Sequence, residues 1–374
     1  MTIYYLTIAT LAGLGYALTD RNKQAAHKKM ENSRACAFHL SISFLLLVFL
    51  SSCRYAIGFD YFSYRNIYEI TSELTYADIL RLHPDEPLFF LTCKLLGTLG
   101  CPYQILLLII NVFLLAVAMF FIRRYSKIPW VSVYLYITLQ FLAYNMNLIR
   151  QSIATAFFLL AFPYLKNRKL LPFTTLIFTG GLFHNSLLFL FPLYFLLPQK
   201  QTKKSLLALA ALTTIIYIFF EPLFGLIKPF LPFRYANYQG GYFWHPNGLQ
   251  YVIFPAFYCI LILLFRNCIK DSLLRSVCIN SAIYHFIISL FITKHFILER
   301  FAVYPFAFSL IAIPEIIYSY EKKEHDGKPF WTYHRVLLLF LLFGGAYFAF
   351  AALFGFHHVY PYTGLWNKSI SSPR

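Results

Sequence analysis

The sequence predicts an all-α protein, a polytopic transmembrane helical bundle of about 12 spans with one short re-entrant or interfacial helix. Three observations predict it. Hydrophobic residues make up 59% of the 374-residue chain and aromatic residues 20%. Charged residues are only 13%, against about 25% in a soluble domain. Runs of about 17 to 25 apolar residues recur from end to end, the length that a bilayer core requires.

Taken in order, the run over 2–18 lacks a basic leader and a small-residue cleavage site, so it is expected to be a retained helix rather than a signal peptide. The next spans are expected near 36–52, 103–122, 128–144, 150–165, 170–183 and 186–198. Those over 205–220, 249–265, 273–292, 299–314 and 335–353 complete the set. Residues 86–99 form a shorter apolar run interrupted by Lys94, read as the interfacial or re-entrant helix of an outer loop over 53–102. A second outer loop covers 221–248. No hydrophilic stretch is long enough for a soluble domain, so residues 1–374 are expected to form a single integral membrane domain.

The formal net charge of +17 invites a nucleic-acid reading, but its distribution excludes one. The cations sit in short loops: Arg21, Lys23, Lys28, Lys29 and Arg34; Arg123, Arg124 and Lys127; Lys166, Arg168 and Lys169. The same side takes Lys200, Lys203 and Lys204; Arg266, Lys270 and Arg275; and Lys322, Lys323, Lys328 and Arg335. These are most of the 32 basic residues, and the other side is left close to neutral. The positive-inside rule makes the basic side cytoplasmic and places both termini outside. The 7 cysteines are scattered without a CxxC pair, so neither a metal site nor a disulfide framework is indicated. Cys53, Cys93 and Cys101 fall on one side but read best as small core-filling residues.

Polar residues gather on the outer side, at 54–86, 145–151, 184–186, 221–248, 294–300 and the tail from His357. In a membrane such groups are expensive unless they are used. Helices can bring these islands around one cavity. Arg54 follows a helix end and can grip a diphosphate through its planar fork; its bland alternative is an interfacial arginine paired with Asp60. Gly58 permits a tight turn or a close backbone approach. Arg150 heads a span whose next residues, Ser152, Ala154, Thr155 and Ala156, let helices approach closely. His184 can take a sugar hydroxyl proton. Asp85 and Glu86 offer a carboxylate base, or a cap for the helix over 86–99. Arg300 is a further phosphate ligand, with Glu299 orienting it. Tyr55, Tyr61, Tyr64, Tyr68, Tyr235, Tyr238, Tyr242, Phe243 and Trp244 present aromatic faces suited to sugar rings, as interfacial belts also do. The sequence has no Gly-rich phosphate loop, HExxH, GxSxG or Asp-x-Asp, so no nucleotide, metal or other cofactor is expected. A lipid-diphosphate donor suits an outer face.

In this order, six pieces resemble the EpsG family, a Wzy-like group of bacterial polysaccharide polymerases. They are the stretch from Arg54 to Tyr64, Glu86-Pro87-Leu88-Phe89, Asn147-Leu148-Ile149-Arg150-Gln151, Phe183-His184-Asn185-Ser186, Glu299-Arg300 and Val359-Tyr360-Pro361-Tyr362. The expected architecture is then GT-C-like, in the cytoplasmic (inner) membrane of a bacterium. The resemblance implies a metal-independent glycosyltransferase that polymerises undecaprenyl-diphosphate-linked oligosaccharides into O-antigen, capsule or exopolysaccharide. Membrane lipid and a chain-length regulator protein are the other expected partners. Arg54, Arg150 and Arg300 would bind and neutralise the diphosphate, with Gln151, Glu299 and Tyr64 at the substrate. His184, Asp60 or Glu86 would be the base. A ligase acting on another acceptor would need a similar residue set. A flippase would need charge near mid-membrane, and a membrane acyltransferase would not need three outer arginines.

Overall fold

The protein is described by a computed structural model over residues 1–20, 34–230, 245–321 and 332–367. The basic residues Arg21, Lys23, Lys28 and Lys29, the aromatics Tyr235, Tyr238, Tyr242, Phe243 and Trp244, and the charged loop at Lys322, Lys323 and Lys328 lie outside these residues. Regular structure is helical. Among the described residues the only β pairing is an isolated antiparallel bridge between Arg54 and Gly364.

In chain order the helices begin with α1 (Thr2–Gly15) and α2 (Arg34–Ser52), followed by α3 (Tyr61–Glu73), α4 (Tyr76–Leu82) and α5 (Pro87–Thr98). Thr75 caps α4 by accepting from the Asp78 N–H. Pro87 starts α5 at the position where its missing N–H costs nothing. The long α6 (Tyr103–Tyr125) leads to α7 (Pro129–Thr138), α8 (Phe141–Asn147), α9 (Ile149–Lys166) and α10 (Leu170–Gly181). After the short α11 (Leu193–Leu196) come α12 (Lys203–Ile218), α13 (Phe220–Ile227), α14 (Gln250–Leu264) and α15 (Ser272–Ile292). The series ends with α16 (Glu299–Phe306), α17 (Ser309–Glu321) and α18 (Tyr333–Leu353).

Among the described residues four helices are long and apolar enough to cross a membrane: α2, α6, α15 and α18. The number rises to 6 if two bent pairs each count as one span, one of them α12 with α13, which turn by 82°. Three runs expected as continuous spans are broken. That over 128–144 is cut at Gln140, which adopts a left-handed φ of 71° and separates α7 from α8. The run over 186–198 becomes a 3-10 turn (Asn185–Leu190) and the four-residue α11 on either side of Pro192. That over 299–314 divides into α16 and α17. Proline removes an N–H and crowds the preceding turn, which accounts for the break at Pro192; Pro305 lies inside α16. Residues 53–102, expected as an outer loop, also hold α3 and α4, whose polar sequences gave no span signal.

The chain forms two compact units, residues 1–191 with 310–374, and residues 192–309. In the first, α2 packs on α6, α6 on α9 and α9 on α10, while α1 and α18 pack on α7 and α3 packs on α5. Phe121, Phe158 and Phe162 fill its core. Gly180 sets the closeness of α9 and α10: a Cβ there would lie 2.6 Å from Phe157 Cβ and from Leu187 Cδ2. In the second unit, α15 packs on α14 and on α16. All seven cysteines are free thiols.

Replacing Gly180 with Val is expected to overpack this contact and cost about 1–3 kcal/mol. Thermal unfolding of the purified protein in detergent checks this; an unchanged midpoint would refute the close-packing account.

Candidate active site

Glu86 precedes Pro87 at the start of α5 and is 1% exposed. Its side chain makes no cap bond, contrary to the capping alternative. Instead Oε1 accepts from His184 Nδ1 at 2.8 Å and from the Asn185 N–H at 3.3 Å. Oε2 accepts from Arg150 Nη1 at 2.5 Å. Backbone geometry brings the three together. The Leu88 N–H donates to Leu182 O at 3.2 Å, tying the start of α5 to the end of α10. His184 then takes an extended conformation before the 3-10 turn. Arg150 lies in the first turn of α9, where the helix dipole disfavours a cation; the carboxylate offsets this. Three donors on one carboxylate remove much of the cost of burying its charge. Asp85 is exposed, so the adjacent carboxylates do not act as a pair.

The Arg150 guanidinium carbon lies 5.9, 5.8 and 5.9 Å from the ring centroids of Tyr64, Phe89 and Phe90, an aromatic cage suited to a cation. Its side chain remains 18% exposed. Arg54 has a different setting, at 0% exposure. One Nη donates to the carbonyl of Ser51. Its Nε and other Nη meet no acceptor among the described residues, and no carboxylate pairs with it. The Arg54–Asp60 pair of the bland alternative is therefore not formed. The phenols whose fields reach Arg54 are Tyr103, Tyr61, Tyr4 and Tyr362. Burial lowers the Arg54 pKa and raises those of Tyr61 and Tyr362, so neutral phenols surround a guanidinium that stays charged.

The tail holds the Arg54 loop in place. Tyr55 N–H donates to Thr363 O and Leu365 N–H to Cys53 O, both at 2.9 Å. Gly58 N–H donates to His358 O at 3.0 Å. Gly58 has a φ of 94°, and a Cβ there would stand 3.0 Å from Met146 O and 3.2 Å from Asn147 Oδ1, so both reasons for a glycine apply. Asn147 is the link: its Oδ1 accepts the Asp60 N–H at 3.1 Å, and its Nδ2 lies 3.2 Å from His357 Nδ1. Tyr360 donates to Gln140 Oε1 at 2.8 Å, at the break between α7 and α8. Sequence reasoning singled out neither Asn147 nor His357 as a site residue. The polar pair His357-His358 beside Tyr360-Pro361-Tyr362 was the available signal.

The fold thus unites Glu86, Arg150, His184 and Tyr64. Asp60 is half-buried at the start of α3, and Gln151 is buried next to Arg150. Glu299 and Arg300 open α16 in the second unit. A pair absent from the expectations, His295 and Glu221, is hydrogen-bonded in that unit. Among the described residues no cluster of three His, Cys, Asp or Glu side chains is placed to hold a metal ion.

A family model described as the EpsG family matches residues 37–363. The chain belongs to the EpsG family. Every residue of the Glu86–Arg150–His184 cluster and the tail as far as Thr363 lies inside the match. Membership and the apolar helices make this EpsG-family chain a membrane protein of polysaccharide biosynthesis. Comparison with curated proteins and with solved structures gives no match.

His357 offers a pH test of this EpsG-family site. Burial lowers its pKa to about 4, whereas an unfolded imidazole titrates near 6.5. Between these values the unfolded chain binds more protons, so this group's contribution to stability falls as pH drops from about 6.5 to about 4 and is flat above. Unfolding midpoints measured at pH 7 and at about pH 4.5 are expected to differ less in His357→Asn than in the wild type. An identical pH slope in both would remove His357 as the cause.

Proposed function

We propose that this protein polymerises undecaprenyl-diphosphate-linked oligosaccharide repeat units into a surface polysaccharide on the outer face of the bacterial cytoplasmic membrane. In this reading the shorter and broken apolar helices cross the bilayer with the long ones, giving the 12-span GT-C-like bundle with both termini outside. It forms one integral membrane domain with outer loops over 53–102 and 221–248. A chain-length regulator protein is its expected partner.

The observation that supports the reading best is the Glu86–His184–Arg150 cluster. With Nδ1–H donated to Glu86, His184 carries its lone pair on Nε2. That nitrogen takes the proton from an acceptor-sugar hydroxyl. The hydroxyl oxygen attacks the anomeric carbon of the donor. The new glycosidic bond forms as the bond from that carbon to the diphosphate oxygen breaks, and undecaprenyl diphosphate leaves. Glu86 orients His184 and offsets its developing charge, as the carboxylate does in a Ser-His-Asp triad. Asp60 remains the alternative base. Arg54, with two unpartnered buried donors, and the partly exposed Arg150 neutralise the leaving diphosphate. Gln151 and Tyr64 contact the substrate, and the phenols around Arg54 face its sugars.

Complementation of a strain lacking the protein, with glycan length read on gels at matched membrane levels, tests this. His184→Ala is expected to lower polymerisation by about 10²–10⁴. Arg54→Gln and Arg150→Ala are expected to abolish long chains while single lipid-linked units persist outside. Active Arg150→Ala protein would remove Arg150 from the site. Units trapped on the cytoplasmic side would identify a flippase, and a single joining without a ladder a ligase.

A further inference from the structure

A basic cavity in the second unit is unrelated to the cluster above. It is organised by Asn280 of α15, a fully buried amide. Its Nδ2 lies 3.1, 2.8 and 2.8 Å from the carbonyls of Leu196, Leu197 and Gln199, and its Oδ1 accepts from Gln201 at 2.7 Å. Thr202 and Ser205 cap α12 reciprocally. The segment ahead of α12 is thereby stapled to α15. Lys200 and Lys203 are then placed on the wall of a cavity of about 410 Å³, which Arg266 and Arg275 also line. Arg275 is held in place by donating from Nε to Ile269 O at 2.7 Å.

Among the described residues the cavity wall contains no carboxylate. Nearby Asp271 is turned to its own helix, where it accepts the Leu274 N–H. None of the four cations forms an ion pair among the described residues. Leu263, Arg266 and Asn267 are shared with an adjoining groove of about 450 Å³, completed by Ile260 and Leu264. Those last two side chains are 53% and 71% exposed. A polar cup carrying four positive charges thus opens onto an apolar trough, with Arg266 at the junction.

Positive-inside charge alone spreads cations over loops; it does not make them converge on a cavity continuous with an apolar trough. That combination has the two-part chemistry of an anionic amphiphile. Guanidinium and ammonium groups bind phosphate oxygens, and basic pockets between membrane helices take lipid headgroups. We propose that this cup binds the phosphate headgroup of an anionic membrane lipid, whose acyl chain lies along the groove. The loops concerned are those that the charge rule assigns to the cytoplasmic face, so the ligand comes from that leaflet.

Native mass spectrometry of the full chain, titrated with phosphatidylglycerol or phosphatidylcholine, tests the proposal. Each basic residue near an anionic lipid surface contributes about fivefold in binding, so a double substitution is expected to weaken phosphatidylglycerol retention about 25-fold. The variants are R266Q/R275Q and K200Q/K203Q; the second pair is exposed and leaves the fold intact. Arg123→Gln with Arg124→Gln, at another basic loop, is expected to bind as wild type does. Phosphatidylcholine is expected to bind weakly throughout. Unchanged retention by K200Q/K203Q would overturn the proposal, as would equal weakening in the Arg123/Arg124 control, which would mean diffuse charge. If inorganic phosphate displaced the lipid completely and bound as tightly alone, the cup would be a free-anion site and the lipid assignment would fall.

Discussion

The buried carboxylate of Glu86 is the constraint on which the first unit's polar centre depends. One oxygen faces His184 and the Asn185 amide, and the other faces Arg150. Three segments far apart in the chain, the start of α5, the exit from α10 and the start of α9, must meet at this point. Removing the carboxylate would take one buried partner from all three donors at once, a penalty of several kcal/mol. The carboxylate is therefore a fastening as well as a chemical group. It fixes which imidazole nitrogen carries the proton and holds a cation in a helix turn that would otherwise repel it.

Around this point the backbone departs from regular helix. Gln140, Ala56, His357 and His358 all adopt positive φ without being glycine. Such conformations cost of order 1–3 kcal/mol each and persist where surrounding contacts over-determine them. Here the contacts are those of the tail, which hydrogen-bonds the Arg54 loop and the side chains of Gln140 and Asn147. Gln140 and His357 are buried beside these contacts, whereas Ala56 and His358 are exposed, so it is the tail's hydrogen bonds rather than burial that the four positions share.

Arg54 and Arg150 illustrate how two arginines of similar sequence context differ in physical state. Arg150 shares a carboxylate and an aromatic cage and keeps a partly exposed face. Arg54 is enclosed by phenols, with one carbonyl as its acceptor. A buried guanidinium with unmet donors is a standing cost, which an anionic group would relieve. In the second unit Arg266 and Arg275 present the complementary case, cations arranged around open space beside an apolar groove.

The sequence by itself determined the helical class, the recurrence of apolar runs and the roster of polar residues, because composition and hydrophobic length act locally and are read without knowing neighbours. It also marked Gly58, since a glycine between Arg54 and Asp60 signals a backbone no other residue adopts easily, and it carried the ordered pieces by which the EpsG family is identified. Only tertiary structure decided where runs break, for Gln140 gives no local warning and its conformation is held by Tyr360, 220 positions away. Only it separated Glu86 from Asp85, two adjacent carboxylates with one buried and one exposed. The partner of a charge is chosen by whichever segments fold against it. That choice is a property of three-dimensional packing, and no spacing along the chain encodes it in readable form.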